Sequence, residues 1–372
     1  MKFKICTFLT LLTLTSSLYA QKYQIIVGSY TTAAKPEGIF VYDFNSQTGE
    51  MTYKNKAVVS NPTFLTVAPD QKHIYSVNED KMPFISAFNY NSSSGELTLI
   101  NKVDPRGAGP AYVSVDARSQ YVFSANYNDG TLSALPIQKD GSLGSNVQLI
   151  RHEGHGPLKA QAGPHVHSVV VSPDNKYLFA VDLGTDKINT YRFNPKNTSP
   201  LSPGKPPFTS VPPGSAPRHF TFHPNKKWAY VIQELTGVMT AYKYKKGTLT
   251  RIDTVSLLSK DFTGAPNAAD IHVSPDGKFL YGSNRGNNSD DLTICSIDQK
   301  TGKLTLAGKQ SSLGKSPRNF AIDPSGNFLI LANQNSNNIF IFKRDQDTGL
   351  LTPTGYKVDI VKPTVVQFLR VD

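Results

Sequence analysis

The chain states one phrase six times, and a seventh copy is divided between its two ends. The phrase runs from an apolar strand through a Pro-Asp/Asn-x-Lys turn into a second strand that ends on a polar residue, and two further strands follow. It is clearest in PHVHSVVVSPDNKYLFAVDLG from Pro164, PRHFTFHPNKKWAYVIQEL from Pro217 and PNAADIHVSPDGKFLYGSNRG from Pro266; weaker copies start at Pro62, Pro110 and Pro317. The turn residues Pro69, Ala117, Pro173, Pro224, Pro275 and Pro324 are spaced by 48, 56, 51, 51 and 49 positions. A period of this length, holding strands rather than helices, predicts the blades of a β-propeller, because each small sheet can bury its faces only against its neighbours.

The divided copy sets the blade number. PTVVQFL from Pro363 reads as a first strand, KYQIIVGSY from Lys22 matches the second strands KYLFAVDLG and KFLYGSNRG, and GIFVYDFNSQTGEMT matches the third and fourth strands NIFIFKRDQDTGLLT. The expectation is an all-β, seven-bladed β-propeller with four-stranded blades, its seventh blade closed by strands from the N- and C-termini. Such a join leaves no open sheet edge. Because the repeat runs from end to end, residues 21–372 are expected to form one domain.

Residues 1–20 stand apart. Lys2 and Lys4 precede an apolar run from Ile5 to Leu14, and Ser16, Ser17, Leu18, Tyr19 and Ala20 follow, which is the charged, apolar and small-residue order of a secretory signal. The run is too short to span a bilayer. The mature chain is therefore expected to start at Gln21 and to be exported, periplasmic or extracellular, with no membrane association after the signal is removed. Cleavage leaves Cys295, on a predicted third strand, as the one cysteine, so no internal disulfide can form. It removes two lysines and no acid, lowering the formal net charge from +11 to about +9. A basic surface attracts anions at long range, but there is no nucleic-acid motif and no basic run with interleaved aromatics, so nucleic acid is not expected as a partner.

Two connections are unusual. Residues 195–217 hold eight prolines and read as an extended surface loop between blades. Residues 151–167 bring His152, His155, His165 and His167, with several glycines, into a loop feeding a first strand. Loops on a rigid scaffold are where sites are built.

The repeat also places side chains. The first two strands of each blade form a hairpin, so the start of the first and the end of the second lie together, away from the turn. First strands of a propeller line the central channel, so polar residues at these positions in different blades converge at one mouth. The first-strand starts hold His165 and His167, Arg218 and His219, Asn267 and Asp270, and Arg318 and Asn319. The second-strand ends hold Glu79, Asn126, Asp182, Gln233 and Glu234, Asn284 and Arg285, and Asn333 and Gln334. Charges in so narrow a space are costly unless they pair or serve a ligand.

Any one of these residues is about as readily a tie between blades. Asp270 and His272, at alternating positions of one strand, fit that role, and His219 and His223 share the ambiguity. Arg218, Glu234 and Arg285 are harder to explain as ties, because the equivalent positions in other blades mostly carry smaller or neutral residues. His165 and His167 could face one zinc ion from a strand, but no further ligand stands at a fixed spacing. His152-Glu153-Gly154-His155 lacks the spacing of a helical metalloprotease motif. No Gly-x-Ser-x-Gly elbow and no phosphate-binding glycine loop occurs.

GPHVHSVVVSPDNKYLFAVDLGTDKI, APRHFTFHPNKKWAYVIQEL, NAADIHVSPDGKFLYGSNRG and SPRNFAIDPSGNFLILANQN resemble the seven-bladed propeller lactonase family, which includes propeller-type 6-phosphogluconolactonases and the fungal carboxymuconate lactonizing enzyme. The resemblance covers essentially all of the mature chain. It implies a cleft of His, Arg, Glu and Arg on successive blades, matched here by His167 (with His165 beside it), Arg218, Glu234 and Arg285. The implied activity is hydrolysis of a sugar lactone, 6-phosphogluconolactonase-like, by a monomer with no metal or organic cofactor. His167, Glu234 and Arg285 are the expected catalytic residues, with Glu234 or His167 as base and Arg285 on the oxyanion or acid side. His165, Arg218, Arg318, Glu79 and Gln334 are expected to bind substrate, an anionic lactone being one candidate. Export sets the chain apart from the cytosolic members, whose phosphorylated substrate is made inside the cell. Two rival readings are a non-enzymatic exported binding module and a lactonizing or isomerising enzyme acting on an unsaturated dicarboxylate.

Overall fold

The computed structural model describes residues 22–286 and 289–371; the expected signal, residues 1–20, lies outside them. Among the described residues, 28 strands, β1 to β28 in chain order, make seven four-stranded sheets. Every pairing within a sheet is antiparallel. The strands β4 (Leu65–Val67), β8 (Pro110–Val115), β12 (Val166–Val171), β16 (Pro217–Phe222), β20 (Ala268–Val273), β24 (Pro317–Ile322) and β28 (Pro363–Val371) begin the seven sheets. Each packs on the next, and β28 packs on β4, so they close the ring around the channel.

The split blade forms as expected. β28 pairs along its length with β1 (Lys22–Ser29), from Lys22 opposite Val371 to Gly28 opposite Val365, and β2 (Glu37–Phe44) and β3 (Met51–Val58) complete the sheet. The hairpin turns repeat too. The residue two places beyond each turn anchor, Gln71, Ser119, Asn175, Lys226, Gly277 or Gly326, has a left-handed backbone, with φ between 52° and 77°. Glycine takes that conformation without cost, and asparagine more readily than most residues, which is why SPDNK and SPDGK recur.

The second strands β9 (Tyr121–Asn126), β17 (Trp228–Gln233), β21 (Phe279–Asn284) and β25 (Phe328–Asn333) are buried at every position, since neighbouring blades cover both faces. Side chains cross the blade boundaries to tie them. Buried Arg344 donates to Tyr281 Oη, to the Gly326 carbonyl and to Asp276 Oδ2, each at 2.8 Å. His223 Nε2 lies 2.8 Å from the Gly277 carbonyl, so His223 is a tie of the same kind.

The proline-rich expectation fails in the middle of its segment. Leu201–Ser210 is not a loop but strand β15, the outer strand of its sheet, paired with β14 (Lys187–Phe193) at Phe193–Leu201 and Lys187–Ser210. An outer strand has one side free of a partner, so a missing N–H there costs no ladder bond, and proline is tolerated.

Candidate active site at the channel mouth

The first strands are irregular where they enter the channel. In β16, Pro217 faces Gln233 and His219 faces Ile232, leaving Arg218 as an extra residue. The same slip leaves His167 extra in β12 and Arg318 extra in β24. Such a bulge breaks the alternation of the strand and re-aims one side chain. The three residues thus share one position of the repeat, together with Ala111 and Thr364, which the slips in β8 and β28 leave extra.

A second ring stands one residue past the second strands: Tyr30, Glu79, Tyr127, Leu183, Glu234, Arg285 and Gln334. The backbone N–H of each donates to a carbonyl just before its own first strand, at Lys362, Asn61, Gly109, His165, Ala216, Asn267 and Ser316, over 2.8 to 3.1 Å. The repeated bond holds the two rings of side chains against each other at the mouth.

Glu234 is the hub. Its Oε2 lies 2.8 Å from Arg218 Nε, although that N–H is not aimed along the contact, and 3.1 Å from Arg285 Nη2. Arg218 Nη1 also donates to the Ala269 carbonyl and lies 3.3 Å from His219 Nε2. Arg285 donates from Nε to the Asn267 carbonyl at 3.1 Å and from Nη2 to Asn267 Oδ1 at 2.5 Å. Burial first, then Arg285, pushes the Arg218 guanidinium down to about 9, which leaves it charged at neutral pH. Burial also lowers Arg285, opposed by Glu234.

His167 is held neutral. Burial, then Arg218, His219, Arg318 and Arg285, keeps its imidazole well below the usual histidine range, and its buried Nδ1 has no hydrogen-bond partner. His165 is placed differently from the expected same-face pair. Its Nδ1 bonds the Tyr127 carbonyl at 2.9 Å and its ring stacks on Tyr127 at 4.5 Å, while His167 meets the same ring edge-on at 5.5 Å. The bulge at His167 turns the two imidazoles onto different sides of Tyr127. Asp182 accepts from the His165 N–H at 2.8 Å, and Gly184 allows the approach: a Cβ there would meet the Gly163 carbonyl at 1.9 Å.

Of the other expected residues, Arg318 reaches, among the described residues, only Gln334, at 3.4 Å. Glu79 lies on the far side of the ring, accepting from Thr63 Oγ1 at 2.6 Å and Tyr30 Oη at 2.9 Å. The polar strand ends are a correction. Asn126, Asp182, Gln233, Asn284 and Asn333 are buried within or between blades, where, for example, Asn126 Nδ2 donates to Ser133 Oγ at 2.8 Å. Consecutive strand residues point to opposite sides, so the mouth belongs to the residue that follows. That offset also explains the missed members: Tyr30 and Tyr127 follow Ser29 and Asn126 as Glu234 follows Gln233. Below the cluster, Phe64, Tyr112 and His219 close the channel, with ring centroids 4.0 Å apart for the first pair and 5.3 Å for the second.

The description "Lactonase, 7-bladed beta-propeller" matches residues 24–368. The chain is 41% identical over 332 residues to a 6-phosphogluconolactonase of Formosa agariphila, covering 88% of this chain and 94% of that one. It is 36% identical to the 6-phosphogluconolactonase of Bacillus subtilis, covering 94% and 99%. Among solved structures, the periplasmic gluconolactonase of Pseudomonas aeruginosa superposes with a TM-score of 0.89 at 36% identity, covering 94% of this chain and 99% of that one.

Proposed function

The chain belongs to the seven-bladed β-propeller lactonase family, and from that premise we propose that it hydrolyses a sugar lactone, 6-phosphogluconolactonase-like, at the Arg218–Glu234–Arg285–His167 mouth. The neutral His167 imidazole takes a proton from water as the oxygen attacks the lactone carbonyl. The oxyanion develops toward Arg285. When the ring C–O bond breaks, the leaving alkoxide takes the proton back from the imidazolium, and the product acid ionises in solution. Glu234, spanning Arg218 and Arg285, orients both guanidiniums and offsets the charge that forms on His167.

The observation that carries this reading is incomplete pairing. A propeller that used these residues only as ties would satisfy them internally, whereas among the described residues His167 Nδ1 has no partner and Arg318 has one long contact. Three guanidiniums stand against the carboxylates of Glu234 and Glu79, and this supports a substrate carrying an anionic group, anchored by Arg218 and Arg318. A bound anion would also oppose the arginines that depress His167, making the base stronger when substrate is present. Export is part of the proposal. It rests on the order of residues 1–20 and on the periplasmic relative; among the described residues no helix is long and apolar enough to cross a membrane.

The test uses purified protein spanning residues 21–372, assayed for acid release on phosphorylated and unphosphorylated aldonolactones with and without chelator. Opening of at least one lactone, unchanged by chelator, is expected. Silence across the panel would overturn the lactonase reading in favour of a binding module.

A further inference from the structure

We propose that Asp270 is a positioning residue for this site: acting through His219, it sets the hydrogen-bonding face presented to Arg218. The proposal rests on the lactonase reading for its kinetic consequence, while its structural step can be read without turnover.

Asp270 lies in the layer below the mouth, 2% exposed. Its Oδ1 is 2.7 Å from His219 Nδ1. Its Oδ2 accepts from Asn319 Nδ2 at 2.6 Å and from the Phe320 N–H at 3.1 Å, and lies 2.9 Å from His272 Nε2. His272 lines a chamber of about 310 Å³ on the turn side of the channel, whose wall also includes His219, Asp270 and Asn319. Although burial opposes it, His272 and His219 hold the Asp270 carboxyl well below the usual carboxylate range, so it is an anion. His219 must then donate from Nδ1. Its Nε2 is left as a bare acceptor, 3.3 Å from Arg218 Nη1.

The consequence is a chain from the buried carboxylate to the guanidinium: Asp270 selects the tautomer, the tautomer accepts from Arg218, and the Nη1 end of Arg218 is held opposite its Nε contact with Glu234. Nη2 of Arg218 has no protein partner among the described residues and stays available to a ligand.

Asp270→Asn separates this role from simple packing. Two donors, Asn319 Nδ2 and the Phe320 N–H, converge on the Oδ2 position, so the amide oxygen must sit there and the NH₂ must face His219 Nδ1. His219 is then forced to accept at Nδ1 and to carry its proton on Nε2, where it opposes the Arg218 N–H. Nitrogen-15 NMR of labelled histidines should show His219 as the Nδ1–H tautomer in the wild type and Nε2–H in Asp270→Asn. In kinetics the variant should raise KM about tenfold or more, the cost of losing a hydrogen bond to a charged group, with a smaller change in kcat. His272→Gln removes one Asp270 contact but leaves Asn319 Nδ2, the Phe320 N–H and His219 on the carboxylate, so KM should stay within about twofold.

If Asp270→Asn does not fold, His219→Phe, which keeps a ring edge-on to Tyr112 and Phe64, removes the acceptor and carries the same KM prediction. Where both fold, the double variant should be no worse than the worse single one. An unchanged His219 tautomer, an unchanged KM in either variant, or additive effects in the double variant would overturn the proposal. A wild type inactive on every lactone would sink the lactonase reading instead, and the tautomer measurement would still decide the positioning step.

Discussion

Arg218 Nε stands 2.8 Å from Glu234 Oε2, with the arginine side chain 2% exposed and the carboxylate 20% exposed. The two residues belong to one hairpin, and a regular register would not aim both into the channel. The bulge at Arg218 and the one-residue overhang of Glu234 past β17 bring them together. The pair is thus a product of irregularity in the strand, and the open face of Glu234 is where a substrate can reach it.

Glu234→Gln keeps the shape and removes the charge that separates Arg218 from Arg285. Lactone-opening kcat/KM should fall about 100-fold or more. Stability should drop by about 1–3 kcal/mol, less than for a fully buried pair because Glu234 is partly solvated. Steady-state kinetics with thermal melting checks both. An undiminished rate would remove Glu234 from the reaction.

His167 is held below the ordinary histidine range by burial and then by Arg218. A neutral base fails only when pH drops through its own pKa, so the acid limb of kcat/KM should lie below pH 6.5. Arg218→Gln removes the largest charge cause and should move that limb upward, whereas His167→Gln should cost about 10²–10⁴ in kcat. A limb at or above pH 6.5 in the wild type would contradict a buried neutral His167.

Stability should fall early on acidification. His167, His219 and His223 are all depressed in the folded state, His219 to about 4, each chiefly by burial. Below about pH 6.5 the unfolded chain binds their protons and the folded one does not, so stability present above that pH is lost as pH falls. His272 is raised by Asp270 against the effect of burial and is protonated in both states in this window, so it contributes no slope there. Three protons give a slope of up to about 4 kcal/mol per pH unit. Denaturant unfolding between pH 4 and 7 measures it, and His219→Gln should remove about a third of it.

Deletion of residues 363–372 removes β28 and the pairing that closes the ring. Loss of folding cooperativity, together with loss of activity, is expected, because the mouth residues keep their spacing only in a closed ring. A truncated protein that melts and turns over like the full chain would break that link.

The blade number, the split closure and the convergence of His167, Arg218, Glu234 and Arg285 were legible because they follow from repetition: equivalent residues occupy equivalent places. Leu201–Ser210 was not legible, since the tolerance of an outer strand for proline depends on which side lacks a neighbour. Glu79, Glu234, Arg285 and Gln334 were read in place, but elsewhere the last strand residue was taken for the next one, so that Asn126 stood in for Tyr127. Nothing in a linear pattern reports whether the last strand residue or the next one turns toward the channel.

What the amino-acid order determined by itself was the periodic part of the protein: apolar strands, turns that need a left-handed residue, and a ring that closes only when both termini share a sheet. Tertiary structure alone decided the chemistry of the mouth. The slip that frees Arg218 and His167, the burial that keeps His167 neutral, and the contact of Asp270 with His219 across two blades all arise between residues far apart in sequence. Their energies depend on distance and on exclusion of water, and those exist only once the blades have packed.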